Sequence, residues 1–184
     1  MDKPEAAPRV RSSQTGKPWI WSIGIYTGRS PLQLAPGAAN NPVLAAADVT
    51  DVPARFVADP FMIKVDGVWH MFFEVLNHQN NLGEIGLATS RDGLNWQYQQ
   101  IVLRERFHLS YPYVFRWQDD FYMIPEALGA EAVRLYRATS FPKAWTLVKD
   151  VFTGTHADPS IFRFSDRWWM FTCPIPYQHD TLAL

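Results

Sequence analysis

Acidic side chains recur along this chain at a spacing that suits acid–base chemistry or the binding of hydroxyl groups. Asp59 stands before Pro60, and Glu74 follows it by 15 residues. Tyr111 stands before Pro112 and Glu126 follows at the same interval; Asp158 stands before Pro159 and Cys173 closes a third copy at 15 again. Two carboxyls held close together do not both ionise freely, so either one keeps its proton or a cation, an arginine or a ligand lies between them. One protonated and one ionised carboxyl is the pair that cleaves glycosidic bonds, as acid and base. Carboxylates with histidine and tyrosine beside them also suit sugar hydroxyls, which need many directional donors and acceptors.

Short strands must position these groups. In the first copy, residues 61–65 read as a strand, Asp66-Gly67 as a two-residue turn suited to positive φ, and residues 68–75 as the returning strand. Folding there sets Asp59 opposite Glu74. Turns at Gln118-Asp119 and Ser165-Asp166 set Tyr111 opposite Glu126 and Asp158 opposite Cys173. The openings lie 52 and 47 residues apart, and a period near 50 with short β patterns predicts a propeller, whose blades bury their faces only by stacking. Outer strands follow: residues 85–90 match 133–140, and each leads to a tryptophan, Trp96 or Trp145. Each blade therefore has four antiparallel strands.

The expected fold is all-β, a five-bladed propeller type that is incomplete here, with about three blades plus an N-terminal strand. Residues 1–18 read as a flexible lead and 19–184 as the partial propeller. Its blades cover about 58–104, 110–153 and 157–184, the third cut short within a strand at 181–184. The expectation is a fragment of a longer protein, its ring closed by missing C-terminal blades or by a second copy. Residues 29–55, with Pro31, Pro36, Pro42 and Pro53, read as an irregular connection or as a loop laid across the domain.

In such a blade the first strand starts on the face where the second ends, and the crossing to the next blade lies there too. Asp59, Glu74, Tyr111, Glu126 and Asp158 are thus expected at one mouth, joined by Arg104, Arg106 and His108 from one crossing and His156 from the next. The candidate catalytic groups are Asp59, Glu126 and Asp158; the candidate substrate-binding groups are Glu74, His108, Tyr111, Arg106 and His156. Structural roles compete with each. An aspartate before proline can cap a strand opening, Glu126 can bond backbone at the rim, the histidines can be satisfied packing residues, and Tyr111 can simply pack. Trp69, Trp117, Trp168 and Trp169 read as core, Cys173 as a buried small hydrophobe, and the run from Ser90 to Trp96 as a turn with a packing tryptophan.

Composition narrows the class. The 184 residues carry 17 basic and 18 acidic side chains with no basic run, which argues against nucleic acid. One cysteine allows no internal disulfide. The N-terminus lacks an apolar signal region, and no apolar run reaches the ~20 residues of a membrane helix, so the expected location is cytoplasmic with no membrane span. No phosphate-binding glycine loop or zinc spacing occurs, and no cofactor or metal is expected.

Several strings together carry a family resemblance: Ala58-Asp-Pro-Phe-Met62, Phe72-Phe-Glu74, Ala88-Thr-Ser-Arg-Asp-Gly93, His108-Leu-Ser-Tyr-Pro112, Tyr122-Met-Ile-Pro-Glu126 and Trp168-Trp-Met-Phe171. In this order they resemble the N-terminal domain of glucosamine inositolphosphorylceramide transferases, from about Trp19 to the last residue. The resemblance implies a five-bladed propeller similar to glycoside hydrolase families 43 and 32. In the plant transferases it precedes a separate glycosyltransferase domain, which nothing here resembles. It also implies that Asp59 matches the first-blade base or nucleophile of those hydrolases and Asp158 an acidic third-blade opening. Tyr111 stands where family 32 has an aspartate, and the fourth-blade acid of family 43 lies beyond this sequence. The leading expectation is a carbohydrate-handling domain associated with glycan or glycolipid glycosyl transfer, binding a carbohydrate or glycolipid at its funnel. The alternatives are a glycoside hydrolase or transglycosylase with Asp59 as base or nucleophile and Glu126 as acid, and a non-catalytic protein-interaction scaffold.

Overall fold

The computed structural model describes residues 20–174. The expected lead (1–18), the start of order at Trp19 and the strand at 181–184 lie outside the described residues.

Ten strands run in order: β1 (Ala54–Val65), β2 (Val68–Asn77), β3 (Leu82–Ser90), β4 (Gln97–Leu103), β5 (Ser110–Trp117), β6 (Asp120–Glu126), β7 (Ala132–Ser140), β8 (Ala144–Thr153), β9 (Ala157–Phe164) and β10 (Arg167–Cys173). They form two four-stranded antiparallel meanders, β1-β2-β3-β4 and β5-β6-β7-β8, and the hairpin β9-β10 of a third blade. This is an incomplete propeller. The first hairpin turns at Asp66 (φ 47°) and Gly67 (φ 80°), the left-handed pair that matches strand twist. Among the described residues the only helical pieces are three-residue 3-10 turns, and no helix is long and apolar enough to cross a membrane.

Alternation on β2 explains how blade 1 is held. Met71, Phe73 and Val75 point to one face and are fully buried with Ile23 and Leu44 from the N-terminal segment. Phe72 points to the other and packs with Ile85, Leu87, Met123 and Tyr136 between blades 1 and 2. The segment before β1 thus covers the face that a further blade would cover. Its extended stretch pairs only at isolated bridges, Ile23 with Leu44 and Thr27 with Ala35, so the N-terminal strand expected there is reduced to these contacts. Asp51 ties the segment to β4, accepting from the Tyr98 hydroxyl and, at 2.8 Å, from the Ile101 N–H.

The tryptophans expected in the core are not fully buried. Trp69, Trp117 and Trp169 are half-buried or flank exposed positions near the hairpin turns, and Trp168 is exposed while contacting Phe115 and Trp117 edge-on or tilted. A ring at the tip of a hairpin has partners on one side only. The turn at 90–96 is structural, as expected: the Asp92 carboxylate accepts from Ser90 Oγ and from the Leu94 and Asn95 N–H groups.

Candidate functional site

Register fixes the first difference from the expected pairing. Ala58, not Asp59, pairs with Glu74, while Phe61 pairs with Phe72. Ser110 pairs with Glu126 and Tyr113 with Ile124; Ala157 pairs with Cys173 and Ser160 with Phe171. At each opening, three steps on one strand match two on its partner, so each Xaa-Pro forms a β-bulge. Proline has no N–H for the ladder, and a bulge accommodates that gap. Asp59, Tyr111 and Asp158 all adopt left-handed φ, at 50°, 46° and 52°. Such backbone costs a non-glycine residue on the order of 1–3 kcal/mol and tends to persist where surrounding structure holds it. Aspartate tolerates it better than tyrosine does. The repeated bulge, rather than a direct cross-strand pair, is what aims these side chains.

The bulges bring the acids together across blades. The Tyr111 backbone amide of blade 2 faces the Asp59 carboxylate of blade 1 and favours its charged form. The Asp158 N–H donates to Glu126 Oε2 at 3.1 Å, linking blade 3 to blade 2, and Ser110 Oγ donates to Glu126 Oε1 at 3.0 Å. Glu74 is buried, and its Oε1 lies 3.0 Å from His108 Nε2. His108 Nδ1 accepts from the Gly83 N–H at 2.9 Å. In the neutral ring, therefore, Nε2 carries the hydrogen and donates it to Glu74.

Charge crowding tunes these groups. Burial, then the neighbouring Glu74 and Asp158 carboxylates, push Asp59 up to about 6, against the Tyr111 N–H and His108. Burial and Asp158 push Glu126 up to about 7, opposed by the bonds from Ser110 and the Asp158 amide. Burial opposes a charge on His108, but the Glu74 bond and the Glu74, Glu126 and Asp59 carboxylates outweigh it and raise its pKa. The Gly83 bond limits that rise in effect, because protonating Nδ1 forfeits the lone pair the Gly83 N–H occupies.

The remaining expected residues are placed differently. Asp158 is exposed at the rim. The Tyr111 hydroxyl lies 3.0 Å from Ser160 Oγ on β9 and its ring meets Phe61 edge-on at 4.7 Å, so it bridges all three blades. Arg106 is exposed on the β4–β5 crossing, and none of the ion pairs or hydrogen bonds among the described residues involves it. His156 packs edge-on against Phe152 at 4.8 Å, and its Nδ1 is buried without a partner among the described residues. Arg104 is committed to Glu84 at 2.9 Å.

Two contributors had escaped notice. Ser110 occupies the position directly paired with the closing acid, where the other copies have alanine; a one-residue shift in the repeat alignment would have exposed it. Gly83 matters because a Cβ there would lie 2.2 Å from the Leu109 carbonyl oxygen and 2.8 Å from the His108 ring. A cleft of about 440 Å³ opens beside the acids, between residues 21–24 on one side and Phe56, Ala58, Asp59, Pro60 and Glu74 on the other. The arrangement can offer carboxyl acceptors and a proton from an acid poised near neutrality, while both nitrogens of His108 are taken up by Glu74 and Gly83. Among the described residues, no three His, Cys, Asp or Glu side chains are grouped to hold a metal ion.

Comparisons with known proteins agree with this architecture. The family model described as glucosamine inositolphosphorylceramide transferase 1, N-terminal, matches residues 13–180. Proteins named glucosamine inositolphosphorylceramide transferase 1 are similar to the chain: one from Oryza sativa subsp. indica is 40% identical over 167 residues and one from Arabidopsis thaliana 35% over 166. Both alignments cover 82% of this chain, which spans 22% of the length of each relative. Among solved structures, a putative glycoside hydrolase from Bacteroides ovatus matches with a TM-score of 0.56 at 15% identity, covering 83% of this chain and 54% of that one. A family 32 β-fructofuranosidase from Bombyx mori matches at 0.55 with 13% identity, over 76% and 33%. A family 117 glycoside hydrolase from Zobellia galactanivorans matches at 0.55 with 18% identity, over 63% and 47%. These structural likenesses support the propeller fold. By the extent and identity of the sequence matches, the chain belongs to the family of the glucosamine inositolphosphorylceramide transferase N-terminal domain.

Proposed function

We propose that this domain binds a carbohydrate, or the sugar part of a glycolipid, at the mouth where its bulges converge, in the service of glycosyl transfer. The observation that carries the reading is that Glu74, Glu126 and Asp59 all lie close enough to His108 to raise its pKa, with Glu74 Oε1 3.0 Å from its Nε2, while the Asp158 amide of the next blade bonds Glu126. Sugar hydroxyls are ligand groups that use several carboxyl acceptors at once. The relatives' names, which speak of glucosamine and an inositolphosphorylceramide, agree with such a ligand. Titrating the protein with a panel of glycosides and nucleotide sugars, with Asp59→Asn as control, tests it. Binding lost on substitution without loss of folding supports a site at the mouth. Binding of partners that is indifferent to Asp59→Asn would point to a scaffold instead.

A hydrolytic or transglycosylating reading has one observation in its favour. Glu126 near 7 can still hold a proton at neutral pH, as a general acid must, while Asp59 near 6 is largely ionised, as a base or nucleophile must be. Asp158 would then act through its field on both. Release of reducing sugar by the wild type, absent in Asp59→Asn and Glu126→Gln, is the expected result of that reading.

A further inference from the structure

The β4–β5 crossing, residues 104–109, passes between two blades and is held from both sides. On the blade 1 side, Arg104 Nε lies 2.9 Å from the Glu84 carboxylate, His108 meets Gly83 and Glu74, and the Leu109 N–H donates to the Gly83 carbonyl at 3.0 Å. On the blade 2 side the hold comes from Glu105 and Phe107. The Tyr136 hydroxyl on β7 donates to Glu105 Oε1 at 2.7 Å, and Arg134 Nη1 lies 3.7 Å from the same oxygen. The Arg134 guanidinium sits over the Phe107 ring, 5.2 Å from its centroid, and its Nε lies 3.2 Å from Asp150 on β8. Residues 104 and 108 thus serve one blade while 105 and 107 serve the other.

A hydroxyl at Tyr136 needs a reason. The residue is 1% exposed and packs in the cluster of Phe72, Leu109 and Met123, where a phenylalanine would fill nearly the same space. A buried hydroxyl is costly unless it finds an acceptor, and Glu105 is that acceptor. Burial, then the Glu105 bond, push the phenol well above its ordinary value, so it stays a donor at neutral pH. Tyr136 also pairs with Met123 on β6, the strand that ends in Glu126. The bond therefore ties the crossing to the part of blade 2 that carries Glu126, whereas His108 is tethered to Glu74 and Gly83 of blade 1. Apolar packing is non-directional; a hydrogen bond of this length fixes how the crossing sits on blade 2.

We propose that Glu105 is a positioning residue for the mouth: through the Tyr136 hydroxyl it fixes the crossing to blade 2 and so sets His108, tethered to blade 1, in its place relative to Glu126. The sugar-binding reading of the mouth gives this placement its use, but the test needs no ligand, so a failure of sugar binding and a failure of positioning are seen separately. The groups acting on the imidazole are the Glu74, Glu126 and Asp59 carboxylates and the Gly83 N–H. In the full chain, the ring-proton titration of His108 is followed by NMR with and without Glu126→Gln. In the wild type that substitution removes a neighbouring carboxylate and should lower the His108 midpoint. In a Tyr136→Phe or Glu105→Ala background the same substitution should lower it by about half as much or less. Glu105→Gln keeps an acceptor for the Tyr136 hydroxyl and should retain the full response. Thermal melts check folding; Tyr136→Phe keeps the buried ring, so its comparison with Glu105→Gln decides the matter if Glu105→Ala fails to fold. A full response in Tyr136→Phe or in Glu105→Ala overturns the inference. So does a response in Glu105→Gln as weak as in Glu105→Ala, which would assign the effect to charge beside Arg134 and not to the hydroxyl bond. A His108 midpoint indifferent to Glu126→Gln in the wild type would overturn it too.

Discussion

The Asp158 backbone N–H donates to Glu126 Oε2 at 3.1 Å, so the acid that closes one blade's hairpin receives the bulge amide of the next blade. At the seam before it, the Tyr111 amide favours the charged form of the Asp59 carboxylate. A bulge frees an amide from its own ladder, and Glu126 supplies the Asp158 amide with another acceptor. Glu126 at the mouth therefore holds two blades together. Glu126→Ala removes the acceptor for both Asp158 N–H and Ser110 Oγ and should destabilise by about 1–3 kcal/mol. Hydrogen exchange at the Asp158 amide should accelerate at least tenfold in that variant, and stay slow in Ser110→Ala. Equal exchange rates in wild type and Glu126→Ala would show that the seam does not depend on this bond.

Charge crowding at Asp59 predicts an unusual pH dependence. Its folded pKa is raised, from 3.8 to about 6, so the folded chain holds this proton more tightly than the unfolded chain does. The associated stabilisation is complete below the unfolded value and is lost as pH rises through about 6. Asp59→Asn should therefore gain stability over the wild type between pH 4 and 7, reaching on the order of 1 kcal/mol by pH 8 after solvent screening is allowed for. Thermal melts of both proteins across that window check it. A difference that stayed constant with pH would mean that Asp59 titrates normally.

Gly83 predicts a second, independent way to disturb the cluster. With a Cβ placed 2.2 Å from the Leu109 carbonyl oxygen and 2.8 Å from the His108 ring, Gly83→Ala must push the β4–β5 crossing away. The cost should be about 1–3 kcal/mol, as for overpacking elsewhere. Its signature is specific: the Gly83 N–H no longer holds His108 Nδ1 as an acceptor. Nitrogen-15 spectra of the imidazole should show the Nε2–H form in the wild type and a mixture of tautomers in the variant. An unchanged tautomer would assign the positioning of His108 to Glu74 alone.

Much of the architecture was open to inspection in one dimension because strand periodicity is local. The Asp66-Gly67 turn, the alternation on β2 and the 15-residue hairpins depend on neighbours along the chain, and the structure has them. The bulges were hidden because counting back from a turn assumes one residue opposite one; an extra residue at each proline moved Ala58 and Ser110 into the places expected for Asp59 and Tyr111. The bond from Gly83 to His108 spans 25 positions and leaves no periodic trace. The hairpin tryptophans look apolar in composition, but whether a face is covered depends on what packs over it, and Trp168 is left partly in solvent.

Tyr111 is the sharpest departure within the repeat, since the other two openings carry aspartate. Its ring lies against Phe61 and its hydroxyl reaches Ser160, so the side chain joins blade 1 to blade 3 across blade 2. A further carboxylate at this position would add like charge where Glu74 and Asp158 already act on Asp59; a neutral tyrosine supplies a contact without that cost. Two effects should then separate. Tyr111→Phe and Ser160→Ala should each cost about 1 kcal/mol, and the double variant little more than either alone, as expected for one shared hydrogen bond. Tyr111→Asp should lose the aromatic contact as well and raise the Asp59 pKa further above 6, which carbon-13 titration of the carboxyl would report. If the two single costs simply add, the hydroxyl bond contributes nothing, and the tyrosine holds its place through packing on Phe61 alone.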